Sequence, residues 1–256
     1  MPSRRGASLR PPGASAGTPG RRDRAELRLL GGFELHAGAA SVRLPRHVQR
    51  LLAFLALQDR PLHRAYVAGR LWMEGSQEHA HACLRTTLWR LPRLPGTVVE
   101  STSTHVALAR SVHVDVRDVA STAERILQRV GPPDADDVDI LARAGELLPD
   151  WYDDWILEER DQLAQRRLVA LEVACEKLLG EARYREATVA ALAAVRSDPL
   201  RESAQRLLIR SYLQDGNVAG ALHQFATFRT QLGRRLGLEP SPQMLELVRG
   251  IAWADA

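Results

Sequence analysis

Residues 76–91 read Ser-Gln-Glu-His-Ala-His-Ala-Cys-Leu-Arg-Thr-Thr-Leu-Trp-Arg-Leu, and the next residue is Pro92. Ser76 supplies the short hydroxyl that caps a helix start. Ala80, Leu84, Leu88 and Leu91 recur at helical spacing, and Pro92 cannot continue the helix. The stretch therefore predicts an amphipathic helix that buries those four residues and turns Arg85, Thr86, Trp89 and Arg90 outward, with Ala82 and Thr87 at the margins. Such a face suits the major groove of a duplex: an arginine fork meets a guanine edge or a phosphate, and a threonine methyl meets a thymine methyl. Trp89 carries two readings, an indole packed beneath a neighbouring hairpin or one that stacks on DNA.

Working outward, the period before this helix is also helical. Val48, Leu51, Leu52, Leu55 and Ala56 line one helix that ends near Asp59-Arg60-Pro61, and Tyr66, Val67, Leu71 and Trp72 line a second. Ahead of Pro45 the runs Leu27 to Leu30, Phe33 to His36 and Ser41 to Leu44, parted by glycine-containing turns, predict a small antiparallel meander. Beyond Pro92, Thr97 to Glu100 and His105 to Ala109 alternate as a hairpin around Ser101 to Thr104. Sheet, three helices and hairpin make a winged helix-turn-helix over residues 25–111.

From Val112 the pattern is helical, broken at Gly131-Pro132-Pro133, Leu148-Pro149, Gly180, Asp198-Pro199, Gly216 and Gly237 to Pro242. A repeat of 34 residues runs through it: Arg185-Glu186-Ala187 superposes on Ala219-Gly220-Ala221, Leu179 on Leu213 and Val189 on His223. That period belongs to tetratricopeptide helix pairs. The expected fold class is an α+β N-terminal winged helix-turn-helix followed by an all-α tetratricopeptide-like repeat domain over residues 112–254. Residues 1–24, rich in Gly, Pro, Ser and Arg, are expected to be a disordered basic arm.

Charge divides along the same line. Residues 1–111 hold 17 arginines against 7 acidic residues, whereas residues 112–256 hold 18 basic against 24 acidic. Without the arm, residues 25–111 keep 11 arginines against 6 acids. A basic front joined to an acidic back is what a chain with one polyanion-binding unit shows. No apolar run approaches the ~18 residues of a membrane span, and no apolar h-region follows the basic N-terminus, so a cytoplasmic, nucleoid-associated protein is expected. Cys83 and Cys175 lack a CxxC or Cys/His pattern and read as buried free thiols.

With these motifs on the page, the chain resembles the Streptomyces antibiotic regulatory proteins. Leu27 to Leu35, Pro61 to Trp72 and Leu84 to Leu91 look like their OmpR-type winged helix. Gly145 to Pro149 with Trp155, Pro199 to Ala204, Gly216-Asn217 with Ala221-Leu222, and Leu236 to Pro242 look like the bacterial transcriptional activator domain behind it. The resemblance implies a sequence-specific regulator that binds direct repeats of double-stranded DNA as a side-by-side homodimer. It further implies contact with RNA polymerase, through its sigma or alpha subunit, to activate secondary-metabolite genes. Larger relatives append an ATPase domain, but GxxxxGK[ST] is absent and Lys177, the only lysine, lies outside any glycine loop. The resemblance is thus to the short form. Two departures stand out: the family helix usually ends Leu-Arg-Arg where this one reads Leu91-Pro92-Arg93, and Trp89 occupies a position that is often arginine.

The expected DNA-contacting set is Arg85, Thr86, Thr87, Trp89, Arg90 and Arg93 on the recognition helix and its end. Arg46 and His47 open the first helix, Arg64 opens the second, and Thr102, Thr104 and His105 form the wing tip. No enzyme, cofactor or metal is expected. His79 and Cys83 give two ligands at best, and Asp150, Asp153 and Asp154 among Trp151, Tyr152 and Trp155 read as a helix start with aromatic packing. The alternative function is a helical-repeat interaction or effector-binding protein whose degenerate winged helix does not read DNA.

Overall fold

In a computed structural model, residues 25–91 and 97–249 are described. The chain opens with strands β1 (Ala25–Arg28) and β2 (Glu34–Ala37), antiparallel with Leu27 opposite Leu35. Both leucines are buried. Gly31 and Gly32, at φ 83° and 155°, make the turn between them. The third strand, β3, is only Ala40–Ser41 rather than Ser41 to Leu44. The ladder ends there because Pro45 follows closely and opens α1 (Arg46–Gln58).

A two-residue strand β4 (Leu62–His63) leads into α2 (Arg64–Leu71), and α3 (Gln77–Trp89) follows across a short turn. The hairpin comprises β5 (Val99–Ser101) and β6 (His105–Leu108), and β4 pairs with the outer side of β6. Its partner sheet is closed by β7 (His113–Val114), which lies parallel to β1. Periodicity alone gave neither β4 nor β7, since two residues carry no period.

Helices then run to the end: α4 (Asp115–Gln128), α5 (Ala135–Arg143), α6 (Asp154–Gly180), α7 (Tyr184–Ser197), α8 (Glu202–Gln214), α9 (Val218–Leu236) and α10 (Pro242–Arg249). The predicted breaks fall between helices or at a helix end, Gly180 closing α6 and Pro242 opening α10. The repeat is visible in the turns. Arg183 N donates to Leu178 O (3.0 Å) and Ala182 N to Leu179 O (3.1 Å); exactly parallel bonds join Asn217 N to Tyr212 O (2.8 Å) and Gly216 N to Leu213 O (3.1 Å). Each turn is a Schellman closure, offset by the predicted period. Ala187 and Ala221 occupy equivalent buried positions where the second helix of each pair crosses the first. Small side chains there let the helices approach closely.

The front core gathers Leu27, Leu29, Leu51, Leu52, Phe54, Val67 and Leu84, and it also takes in Leu147, Leu148, Trp151, Trp155 and Ile156 from the segment leading into α6. Phe33 stacks on Trp151 (6.0 Å between ring centroids), and Phe54 meets Trp155 edge-on at 5.1 Å. Around these rings Gly31 N donates to Glu146 O (2.7 Å), Leu148 N to Leu29 O (2.9 Å), and Arg50 Nη2 pairs with Asp153 (2.6 Å). Gly145 suits the crossing: a Cβ there would lie 3.2 Å from Gly31 N, tighter than an ordinary contact. Asp115, opening α4, accepts from Leu29 N (2.9 Å) and Leu30 N (3.0 Å) and so satisfies donors beyond the end of the β1 ladder.

The acidic-aromatic segment is a helix start, with Trp151 and Trp155 buried and Tyr152 exposed. Cys175 is buried, and burial pushes its thiol up to about 12. Cys83 is only half-buried.

Candidate nucleic-acid interface

The helix quoted at the outset forms as its sequence directs. Ser76 Oγ accepts from His79 N (3.2 Å), Ala80 and Leu84 are buried, and Leu88 and Leu91 are half-buried against the front core. The helix closes at Trp89 with Arg90 as its C-cap. Pro92 and Arg93 lie outside the described residues. Arg85, Thr86, Trp89 and Arg90 are exposed. Trp89 is 85% exposed, which removes the reading of an indole packed beneath the wing. Thr87 requires a correction. It is 2% exposed, because position 87 continues the 80–84 stripe at three-residue spacing, and it therefore packs inward and cannot touch a ligand on the outer face.

The wing is held against the start of α2. Arg64 Nη1 donates to Ser101 Oγ (2.7 Å) and Thr102 O (3.2 Å), while Arg64 N donates to Thr104 O (2.9 Å). At the tip, Thr102 Oγ1 accepts from His105 N (2.9 Å), and Thr104 Oγ1 meets His105 Nδ1 at 2.9 Å. These bonds fix the tip's shape while leaving Thr102, Thr104 and His105 exposed. His63 and His105 face each other edge to plane, with ring centroids 5.5 Å apart.

Between helix and wing lies a groove of about 500 Å³ lined by His63, Arg64, Ala65, His81, Arg85, Ser103 and Thr104. It brings together three residues of the expected set, Arg64, Arg85 and Thr104, and adds His63, His81 and Ser103. His81 was legible, being one turn before Arg85 on the same face. His63 was not, because its position depends on the short β4. Along the described front of the groove no carboxylate lines the wall, so two arginines and two imidazoles face it without an acidic counterweight. Such a wall attracts a polyanion.

Two of the expected residues stand apart. Arg46 lies with its guanidinium carbon 3.7 Å over the Trp151 ring, a cation–π contact at the seam with the helical unit. His47 is half-buried beside it, its Nε2 buried and without a hydrogen-bond partner among the described residues. Neither borders the groove. His79 and Cys83 are neighbours (3.4 Å), and no group of three or more metal-ligating side chains occurs among the described residues.

The family model described as the bacterial transcriptional activator domain matches residues 143–252. Regulatory protein AfsR of Streptomyces coelicolor is 29% identical over 231 residues, an alignment that covers 82% of this chain and so extends into the winged helix. The chain is thus similar to a Streptomyces regulatory protein across both of its units, and its back half matches the bacterial transcriptional activator domain. Regulatory protein AfsR of Streptomyces griseus is 25% identical over 221 residues, again across 82% of the chain. The chain spans 22% of the length of either relative. Among solved structures, Mycobacterium tuberculosis EmbR in complex with a low-affinity phosphopeptide matches with a TM-score of 0.59 and 20% identity, over 88% of this chain and 64% of that one. This likeness concerns the fold: a winged helix followed by helical repeats. No described helix is long and apolar enough to cross a membrane.

Proposed function

We propose that this chain is a sequence-specific activator that binds double-stranded DNA through the face carrying Arg85, Thr86, Trp89 and Arg90, with Arg64, Thr102, Thr104 and His105 gripping the backbone beside it. The observation that carries the reading is the groove between α3 and the wing, which places Arg64, Arg85 and Thr104 on one concave wall free of carboxylates. Base-edge contacts from α3 specify the site, and contacts from the wing position the protein. Two copies side by side would read direct repeats, one per winged helix, and the helical unit would contact RNA polymerase. The protein works at the nucleoid, in the cytoplasm.

The test is a gel-shift titration on direct-repeat sites recovered by genome-wide mapping of bound DNA. Arg85→Ala and Arg90→Ala are expected to weaken binding by about tenfold each, as loss of a base or phosphate fork does. Each phosphate contact removed should also lower the salt slope by about one. Unchanged affinity in both variants removes α3 from the interface and favours a partner-binding role for the whole chain.

A further inference from the structure

A second concavity lies on the helical unit, away from the wing. Val119 of α4, Ala144 to Leu147, Leu163 and Arg167 of α6, and Arg196 and Ser197 at the end of α7 line a cleft of about 380 Å³, whose wall also carries the carboxylates of Glu146 and Asp161. Its floor is apolar, from Val119, Leu147 and Leu163. Three arginines border it, and only one is satisfied: Arg160 donates to Leu147 O (2.8 Å) and Trp151 O (2.9 Å) and pairs with Glu146 (3.2 Å).

The other two have no carboxylate partner among the described residues. Arg167 donates Nε to Leu141 O (2.7 Å), and among the described residues neither its guanidinium nor that of Arg196 has an acidic group within 4.0 Å. Burial lowers the pKa of Arg167, and the one charged neighbour acting on it is Arg196, which lowers it further. A half-buried cation facing a like charge is an unfavourable arrangement that folding alone does not call for. The two carboxylates of the cleft do not answer it: Glu146 pairs with Arg160, and Asp161 forms no ion pair with Arg167 or Arg196.

We propose that this cleft binds a small organic anion, its carboxylate or phosphate oxygens held between the guanidinium forks of Arg167 and Arg196 and its apolar body lying on Val119, Leu147 and Leu163. Guanidinium forks match the geometry of either oxyanion, and an apolar floor beside convergent polar groups is a usual form of a small-molecule site. An occupant would also touch the segment that joins the two units, since Leu147 bridges to Leu30 and Glu146 O accepts from Gly31 N.

The test is calorimetric titration of the full chain with three probes: octanoate, inorganic phosphate and octan-1-ol. Octanoate is expected to bind saturably, and Arg196→Gln and Arg167→Gln are each expected to weaken it by about tenfold or more, the loss that follows removal of a charge-assisted bond. Arg196→Gln is the decisive variant because Arg196 is exposed and folds without this contact; circular dichroism checks both. Phosphate bound more tightly than octanoate, with the same two losses, assigns the site to phosphate esters, and the reverse order assigns it to carboxylates. Binding of neither anion, octan-1-ol bound as tightly as octanoate, or variants that titrate like the parent overturns the proposal.

Discussion

Ala182 sits at φ 58°, in the left-handed region where a Cβ crowds the following carbonyl, and the equivalent residue one repeat later, Gly216 at φ 77°, has no Cβ to crowd. The two turns carry the same pair of backbone bonds, so the repeat holds one conformation with two different residues. Ala182→Gly is expected to stabilise the chain by about 0.5–1 kcal/mol, the relief of strain outweighing the added entropy of glycine in the unfolded chain. Gly216→Ala is expected to destabilise it by a similar amount. Urea denaturation checks both through the midpoint at constant slope. If the two substitutions shift the midpoint in the same direction, the turns are not equivalent. The sequence spacing already contained the repeat, because the buried alanines and the turn recur at a fixed interval. It did not disclose which copy is strained, because a left-handed residue is recognised from sequence only when it is glycine or asparagine.

At the scale of elements, α3 was legible in its cap, its buried stripe and its exposed arginines, since one helical period governs all three. Thr87 lies inside rather than at the margin of the outward face. The stripe through Ala80 and Leu84 continues to 87, and a threonine there is buried all the same. Arg46 and His47 looked like a helix start open to phosphate; what the linear chain could not show is that Trp151, more than a hundred residues later, folds under Arg46. The last helix, α10, is fastened in a similarly remote way. Glu202, at the start of α8, accepts from Ser241 N (3.0 Å) and from the Ser241 hydroxyl, and it pairs with Arg206 (2.9 Å). Partial burial pushes the Glu202 carboxyl up, but the Ser241 hydroxyl and amide and then Arg206 outweigh it, and the net pKa lies below the ordinary 4.5. A depressed carboxylate contributes stability that is complete above its unfolded pKa and is lost as pH falls through the folded value. Glu202→Gln should therefore be less stable than the parent at neutral pH, with the difference shrinking below about pH 4.5. Thermal unfolding followed between pH 3 and 7 checks this, and a difference that stays constant across that range would rule out the linkage.

At the scale of the molecule, the winged helix does not complete its own core. Trp151, Trp155 and Ile156 are buried among residues of α1, α2 and β1, so the segment entering α6 fills the underside of the front unit while α6 itself continues into the repeats. Arg50 with Asp153 and Arg70 with Glu158 (3.3 Å) flank these rings on the outside. The ion pairs are partly solvated and contribute little, whereas burial of two indoles contributes several kcal/mol. We therefore expect the front and the first repeats to unfold together, in one calorimetric transition whose van't Hoff and calorimetric enthalpies agree. Trp155→Ala removes the edge-on contact with Phe54 and leaves a cavity beneath α1, at a cost of about 3–5 kcal/mol. If the seam couples the units, that variant lowers the melting temperature of the whole transition, and a wing signal and a helix signal shift together. A parent protein that melts in two separate steps, or a Trp155→Ala variant in which only the wing signal moves, would mean that the two units fold independently. The distinction bears on regulation as well. The seam ties the Glu146–Leu148 segment to the residues just after β1 through the Gly31 N–Glu146 O (2.7 Å) and Leu148 N–Leu29 O (2.9 Å) bonds, and its aromatic rings to α1, on which α3 packs, so a cooperative seam couples a change at that segment to α3.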